Sequence, residues 1–180
     1  MSPGAESDAR AGSRGVERRT FPVNLLLEGR PALVVGGGRV ALHKAEILLA
    51  AGALVTLVSP EVIPEGAALA GSIRHIERGF EDGDLDGFFI VFAATDDPEF
   101  NGRVLERCRE LGLLCGAVDA NWRKGDFITP AVLRRDGLTI AVSTGGRSCL
   151  RSRLVKEGLA RAFDETGIGR DASSPERETK

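Results

Sequence analysis

The sequence lacks the features that would place it in a membrane or in a disulfide-bonded secreted fold. It has no uninterrupted run of about 18 apolar residues, so no membrane-spanning helix is expected. Its first twenty residues have no apolar segment of the kind found in secretory signals. Only three cysteines occur, an odd number without metal-ligand spacing, which favours a reducing compartment over a disulfide framework. We therefore expect a cytoplasmic protein without membrane association.

The chain is also poor in histidine and nearly balanced in charge. Neither His43 nor His75 has further ligand residues nearby in a metal-binding pattern, so no stable metal site is expected. The formal net charge of −2 gives no overall bias toward nucleic acid. The balance is uneven, however, because residues 121–161 hold nine basic and three acidic residues.

Apolar runs of strand length alternate with helical patterns over residues 21–119. The strand-like runs occupy 32–35, 54–58, 73–77, 88–95 and 113–119. Helical patterns cover 39–51 and 98–112, and a weaker one over 61–71 is interrupted near Pro64. This alternation predicts an α/β fold with a Rossmann-like, doubly wound parallel sheet.

The remainder of the chain predicts an appended region and two tails. Residues 120–164 contain two further strand-like stretches and a helical pattern that begins at Cys149. The apolar edges of these strands favour a dimerisation region. Residues 1–20 and 165–180 are polar and without periodicity, so they are expected to be disordered.

A glycine turn joins the first strand to the first helix. Gly36, Gly38 and Ala41 match G-x-G-x-x-A, the pattern of dinucleotide-binding turns. Gly36 would allow the tight turn, Gly38 the approach of a pyrophosphate, and Ala41 close helix packing. Arg39 and Val40 follow at the helix start and are included in the predicted cofactor site. The alternative is a glycine-rich connection that binds nothing.

The ends of two other strands complete the predicted cofactor site. Pro60 and Glu61 follow the second strand, where an acidic residue would contact the adenine ribose. No arginine stands there for a 2′-phosphate, which favours NAD over NADP. After the fourth strand, Thr95 is predicted to contact the cofactor, whereas Asp96 and Asp97 would repel phosphate and are better suited to capping a helix.

Three segments together resemble a known family. They read VVGGGRVALHKAEILLAAGA, FAATDDPEFN and CGAVDANWRKGDFITPAVLRRDGLTIAVSTGGRS. These segments resemble the precorrin-2 dehydrogenase module of siroheme synthases, and the resemblance covers about residues 21–163. It implies a Rossmann domain, a homodimer formed through the appended strands, and NAD-dependent oxidation of precorrin-2 to sirohydrochlorin. Some members of that family also insert ferrous iron.

Asp119 is the candidate catalytic residue. It follows the last predicted strand of the Rossmann unit, at the sheet edge where ligands bind in open α/β folds. A carboxylate there could take the proton of a dehydrogenation while NAD takes the hydride. The resemblance identifies Asp119 with the family's essential aspartate, which could also contact the incoming iron transiently. The alternative is a turn or helix N-cap aspartate.

The basic stretch supplies the candidate substrate contacts. Its positive charge suits a substrate with many carboxylates, although a solvated helix face is the alternative. Ser148 is a natural N-cap after a glycine pair, and the resemblance implies that this loop borders the tetrapyrrole site. Arg153, on the predicted helix, is included as a substrate contact.

The sequence departs from the family pattern at several points. Cys149 stands where a proline usually follows Ser148, and His43 stands where arginine is usual. The resemblance also implies that the chain ends earlier than the module usually does, which leaves iron insertion open. A second hypothesis is therefore a non-catalytic NAD-binding regulatory or scaffold module. Asp119 favours the dehydrogenase, because a binding module has no use for a base at that position.

Overall fold

The computed structural model describes residues 19–135 and 137–166, which belong to two units. One unit is Asn24–Ile128, and the other combines Met1–Val23 with Thr129–Lys180. Most of the two predicted tails, residues 1–18 and 167–180, lies outside the described residues. No helix in the described ranges is long and apolar enough to cross a membrane.

The unit Asn24–Ile128 is built on a parallel sheet of five strands. The strands are β1 (Pro31–Val35), β2 (Leu54–Val58), β3 (Arg74–Ile76), β4 (Ile90–Ala93) and β5 (Leu114–Ala117). Their order across the sheet is β3-β2-β1-β4-β5, and every neighbouring pair is parallel. This is the strand order of a doubly wound fold, and it confirms the predicted class.

Both faces of this sheet are buried, which explains its uninterrupted apolar strands. In β1, Ala32 and Val34 belong to one core cluster, whereas Leu33 and Val35 belong to the other. The first core is covered by α1 (Arg39–Ala50) and the second by α2 (Pro98–Glu110). Helices on both faces require strands that are apolar on both sides, as the sequence pattern indicated.

The connections differ from the sequence prediction in detail. The weak helix predicted over 61–71 is a 3₁₀ helix at Pro64–Leu69, because proline is accepted at its first position instead of interrupting it. A second 3₁₀ helix at Asp82–Leu85 was not predicted. As predicted, α1 ends just before Gly52, whose φ of +79° is the left-handed conformation that favours glycine.

Residues that follow β5 also belong to the unit Asn24–Ile128. A 3₁₀ helix at Ala120–Lys124 follows β5, and Arg109 of α2 donates a hydrogen bond of 2.5 Å to the carbonyl of Lys124. Beyond it, the Phe127 ring packs edge-on against Phe92 of β4, with 5.1 Å between ring centroids. These contacts hold residues 120–128 against the sheet and helix.

The second unit contains a hairpin and a long helix. Strands β6 (Ala131–Arg135) and β7 (Leu138–Val142) pair antiparallel. Helix α3 (Cys149–Thr166) packs against both strands. The predicted appended strands and C-terminal helix are therefore present.

Candidate functional site

A cleft of about 670 Å³ lies at the carboxyl ends of β1, β2 and β4. Its walls are formed by residues 36–38 after β1, residues 59–64 after β2 and residues 94–97 after β4. The rings of Phe80 and Phe100, which pack edge-on at 5.9 Å, complete the lining. In this strand order the chain leaves β1 toward β2 on one side and returns to β4 on the other. Such switch points are where open α/β sheets bind ligands.

The three glycines at the end of β1 are required for different reasons. Gly36 has a φ of +123°, and a Cβ there would lie 2.4 Å from the carbonyl oxygen of Ala94. A Cβ on Gly37 would lie 1.9 Å from the carbonyl oxygen of Glu61. A Cβ on Gly38 would meet no protein atom within 4 Å. The first two glycines are needed by the fold, whereas the open space beside Gly38 suits an approaching ligand.

The start of α1 favours an anionic ligand. Gly38 is its N-cap, no side chain accepts a hydrogen bond from its first turn, and that turn holds no acidic residue. The backbone N–H groups of an uncapped first turn, together with the helix dipole, attract phosphate. By contrast, α2 is capped by Asp97, whose carboxylate accepts from the backbone N–H groups of Glu99 and Phe100. A dinucleotide pyrophosphate therefore fits at α1.

Most of the predicted cofactor residues lie together in the cleft. The predicted cofactor residues among its lining are Gly36, Gly38, Pro60, Glu61 and Thr95. Arg39 and Val40 are exposed at the start of α1 and are not part of the lining. The Arg39 guanidinium lies 3.9 Å from the Glu65 carboxylate, so its charge is directed at a neighbouring acid. Contacts of all these residues with a cofactor remain predictions.

The segment after β2 is held in place by local hydrogen bonds. Ser59 Oγ donates to the carbonyl of Glu61 at 2.6 Å, and His75 Nε2 lies 2.9 Å from the carbonyl oxygen of Ser59. His75 therefore supports this segment from the neighbouring strand. The exposed carboxylate of Glu61 at the edge of the cleft suits the hydroxyls of a ribose and disfavours a 2′-phosphate.

A buried asparagine connects the cleft to the candidate catalytic aspartate. Asn101, in the first turn of α2, is 0% exposed. Its Oδ1 accepts from the backbone N–H of Thr95 at 3.1 Å and from Thr95 Oγ1 at 2.8 Å. Its Nδ2 donates to the carbonyl of Thr95 at 2.9 Å and to Asp119 Oδ2 at 2.7 Å. Thr95 lines the cleft, so a single side chain, that of Asn101, connects the cleft wall to the Asp119 carboxylate.

The Asp119 carboxylate is itself part of a cap. Its Oδ1 accepts from the backbone N–H of Asn121 at 2.7 Å, which makes Asp119 the N-cap of the following 3₁₀ helix. Its Oδ2 also receives the Asn121 side chain at 3.4 Å. Asp119 is half-buried and is not among the residues that line the cleft. Oδ1 of Asp119 therefore caps the 3₁₀ helix, as the alternative interpretation proposed, while Oδ2 accepts a hydrogen bond from Asn101 of α2.

Sequence reasoning did not identify Asn101, although a signal was present. Asn101, Val104, Leu105 and Cys108 share one helical face, and all four are buried. A lone amide on an otherwise apolar face needs hydrogen-bond partners in the interior. Such a residue indicates a specific hydrogen-bonded contact in the interior, but the sequence does not show which groups are its partners.

The predicted substrate residues lie in the other unit. Ser148 Oγ accepts from the backbone N–H of Arg151 at 3.1 Å, as expected of an N-cap. Arg153 Nε lies 3.7 Å from the Glu157 carboxylate one helical turn away. Gly145 and Gly146, which precede Ser148, both have positive φ angles. Substrate contacts by Ser148 and Arg153 remain predictions.

Neither the buried cysteines nor the histidines form a metal site. Cys108 and Cys115 are buried, and the hydrogen bond that the Cys115 thiol donates to Cys108, together with burial and the nearby Asp126 carboxylate, raises the pKa of the Cys115 thiol above its usual range. A neutral buried thiol is unreactive. Within residues 19–135 and 137–166, no three His, Cys, Asp or Glu side chains are grouped to hold a metal ion.

The strand order, the open space at Gly38 and the uncapped α1 together define a dinucleotide-binding Rossmann unit. Residues 23–131 match the family model NAD_binding_7, which describes NAD(P)-binding domains. Among solved structures, "SirC, precorrin-2 dehydrogenase" superposes with a TM-score of 0.70 at 30% identity, covering 81% of this chain and 72% of that one. The chain belongs to this family of precorrin-2 dehydrogenases and siroheme synthases, which confirms the resemblance in the sequence.

Two curated siroheme synthases are also similar to this chain in sequence. The "Siroheme synthase 2" of Aeromonas salmonicida (strain A449) is 46% identical over 139 residues, which is 77% of this chain. The "Siroheme synthase" of Thioalkalivibrio sulfidiphilus (strain HL-EbGR7) is 44% identical over 155 residues, or 85% of this chain. The matched regions span only 29% and 31% of those two relatives.

Proposed function

We propose that the protein oxidises precorrin-2 to sirohydrochlorin with NAD. The observation that carries the proposal is the hydrogen-bonded connection from Thr95 in the cleft wall through Asn101 to the Asp119 carboxylate. It joins a site shaped for a dinucleotide to a group able to accept a proton. The names of the relatives, siroheme synthase and precorrin-2 dehydrogenase, support the substrate.

The reaction removes one hydride and one proton from the substrate. When bound, NAD supplies the hydride acceptor. The start of α1, with the open space at Gly38, would hold the pyrophosphate, and Glu61 would contact the adenine ribose. Asp119 accepts the proton that leaves the substrate carbon skeleton. Its carboxylate is already oriented by donors from Asn101 and Asn121, so it needs little reorganisation.

The substrate contacts are proposed for the second unit. The basic residues of the stretch 121–161 that belong to this unit, Arg153 among them, attract the carboxylates of the tetrapyrrole, and the Ser148 loop borders it. Part of that positive charge is already compensated, because Arg135 pairs with Asp164 and Arg153 with Glu157. The remaining surplus supports attraction of a polyanionic substrate.

Three further elements of the proposal concern iron, assembly and location. Asp119 remains a predicted transient contact for ferrous iron, which would be a substrate of a second reaction. Exposed apolar residues of the second unit support a homodimer. The two buried, unpaired cysteines support a reducing cytoplasm.

The test is turnover of precorrin-2 by the Asp119→Asn variant under anaerobic conditions, followed by NADH absorbance. We expect NAD affinity close to that of the wild type, and a rate lower by about a hundredfold to ten-thousandfold, about 3–5 kcal/mol of barrier, because asparagine cannot accept the proton. The matched control is Asp86→Asn, an exposed aspartate outside the cleft, which should leave the rate unchanged.

Two outcomes would contradict parts of this proposal. Full turnover by Asp119→Asn would reduce Asp119 to a capping residue, with the proton leaving to water or to a substrate carboxylate. A wild-type protein that binds NAD and precorrin-2 without forming NADH would instead support the non-catalytic binding module.

A further inference from the structure

We propose that Asn101 is a positioning residue that sets the direction of the Asp119 carboxylate relative to the dinucleotide cleft. This inference rests on the proposed function, in which Asp119 accepts a proton. It adds a residue that makes no contact with the cleft itself, since Asn101 is not among the lining residues. Asn101 would act only through Thr95 and Asp119.

The first argument is that Asn101 has no unused hydrogen-bonding capacity. Its amide offers two N–H donors and two acceptor lone pairs. The donors go to the Thr95 carbonyl and to Asp119 Oδ2, and the acceptor receives the Thr95 amide N–H and hydroxyl. A fully buried amide with all its bonds made is held in one rotamer by every partner at once.

The second argument is that the amide can take only one orientation. Turning it over would place Oδ1 against the Asp119 carboxylate and the Thr95 carbonyl, and Nδ2 against the Thr95 N–H. Each of those contacts would oppose two acceptors or two donors. The Asn101 backbone is also anchored, because its N–H donates to the Asp97 carbonyl at 2.9 Å in the first turn of α2. The donor aimed at Asp119 therefore has a fixed direction.

The third argument concerns what remains free on Asp119. Asn101 holds Oδ2 and the Asn121 backbone holds Oδ1, so the plane of the carboxylate is defined from two sides. A carboxylate has about four acceptor positions, and at least one stays open beside these donors. Without Asn101, Oδ2 would keep only the 3.4 Å contact from the Asn121 side chain, and the carboxylate would rotate more freely.

The experiment is a double-mutant cycle between Asn101 and Asp119 in the full chain. Asn101→Ala and Asn101→Leu are each made in the wild-type and in the Asp119→Asn background. Asn101→Leu keeps the branched outline of the side chain without its hydrogen bonds, so it is a second variant for the case in which the alanine variant does not fold. For each folded variant, kcat for precorrin-2 and the Kd of NAD, by calorimetry, are measured.

The expected result is a coupled loss. In the wild-type background kcat should fall about tenfold to a hundredfold, because a misdirected base loses its near-attack geometry. The Kd of NAD should change by a smaller factor than kcat, because the glycine turn and α1 are unaltered and only Thr95 among the predicted cofactor contacts loses hydrogen bonds from Asn101. In the Asp119→Asn background the same substitutions should change the residual rate by less than about twofold, because there is no base left to position.

A stability control and two contrary outcomes distinguish a positioning role from a purely structural one. Val104→Ala, a buried substitution on the same face of α2, should lower thermal stability and leave kcat unchanged. Equal losses of kcat in both backgrounds would overturn the positioning role, since a structural effect does not depend on Asp119. If the wild type itself forms no NADH from precorrin-2, the proposed function fails first and the positioning role fails with it.

Discussion

Gly36, Gly37 and Gly38 are adjacent in the chain, but their missing side chains serve different purposes. At Gly36 and Gly37 a Cβ would collide with backbone oxygens of Ala94 and Glu61. At Gly38 it would project into open space within the cleft. A substitution at Gly38 therefore separates ligand binding from folding, which substitutions at the other two positions cannot do.

We expect Gly38→Asp to bind NAD at least about a hundredfold more weakly, a loss of about 2.7 kcal/mol or more, while the protein stays folded. Its side chain and negative charge would occupy the space that the pyrophosphate needs at the start of α1. Calorimetry gives the affinity, and thermal unfolding reports the fold. Gly37→Ala is the comparison, and it should lower the melting temperature because of the collision with Glu61. Unchanged NAD affinity in Gly38→Asp would place the phosphates elsewhere.

The residues that could be predicted from the sequence are those with local signatures. Gly38 belongs to a fixed pattern, and Asp97 stands directly before a proline-started helix, so both positions follow from neighbouring residues. The role of Asn101 depends on Thr95 and Asp119, which lie 6 and 18 positions away along the chain. Periodicity places Asn101 on a buried face, but only the fold brings its partners together.

Among the elements, the two long helices of the Rossmann unit differ in how their N-termini are capped. The N-cap of α1 is Gly38, which lines the cleft and provides no side-chain cap, whereas the Asp97 side chain caps the first turn of α2. A helix whose first turn is already capped has fewer N–H groups to offer a phosphate. The start of α1 is therefore better suited to an anion than the start of α2, although both helices begin at the same edge of the sheet.

Removal of the α2 cap should destabilise the protein. Asp97→Ala loses the acceptor of the Glu99 and Phe100 N–H groups, and we expect the free energy of unfolding to fall by about 1 kcal/mol, within a range of about 0.5–2 kcal/mol. Urea denaturation at neutral pH measures the change. The neighbouring Asp96→Ala is the matched control, because Asp96 is exposed and does not cap α2. Equal effects of the two substitutions would refute the assignment of the cap.

The ion pair between Arg78 and Asp84 of the 3₁₀ helix Asp82–Leu85 should make the free energy of unfolding depend on pH in the acid range. Two hydrogen bonds from the Arg78 guanidinium, of 2.6 and 2.7 Å, hold the pKa of Asp84 below its usual range, although burial acts in the opposite direction. A carboxyl whose folded-state pKa is lowered stabilises the fold fully above its unfolded-state pKa, about 4. That contribution is lost as the pH falls through the lower folded-state value.

Asp84→Asn therefore should lower the free energy of unfolding at neutral pH and flatten its decline in acid. Urea denaturation at a series of pH values from neutral to about 3, below the ordinary carboxyl pKa, measures both effects. Asp82→Asn is a suitable comparison, since Asp82 is an exposed aspartate of the same 3₁₀ helix. An acid limb that stays as steep in Asp84→Asn as in the wild type would show that other carboxyls determine it.

The elements themselves were predictable to different degrees for a physical reason. The central strands are buried on both faces, so their apolar runs are unmistakable. The 3₁₀ helix Asp82–Leu85 depends instead on a capping box between Glu81 and Asp84 and on the Arg78 ion pair. Polar side-chain bonds of this kind produce no hydrophobic periodicity, so the sequence pattern did not reveal them.

At the scale of the whole molecule, the two units carry different parts of the proposed chemistry. The unit Asn24–Ile128 contains the cleft, Asn101 and Asp119, and the second unit contains Ser148 and Arg153. The parallel, doubly wound class of the sheet could be predicted, because βαβ connections have few alternatives. The assembly of the second unit could not be derived in the same way, because a hairpin and a helix allow many arrangements.

The second unit exposes apolar residues that a homodimer would cover. Leu150 and Leu154 lie one turn apart on α3 and are 56% and 54% exposed, and Val155 beside them is also exposed. Leu138 of β7 adds a further exposed leucine to the same unit. Single exposed leucines are ordinary, but a group of them on one small unit favours an interface.

We expect the chain to sediment as a dimer at micromolar concentration and Leu154→Glu to sediment as a monomer. A carboxylate at that position would have to be desolvated in an apolar interface between two copies, which is costly without a partner charge. NAD affinity should not change, because the glycine turn and α1 belong to the other unit. Glu157→Gln, a substitution on the same helix that introduces no charge into the apolar group, should remain a dimer. If the wild type is monomeric throughout this range, or if Leu154→Glu stays dimeric, the exposed leucines of α3 are not the contact between copies, and any dimer must use another surface.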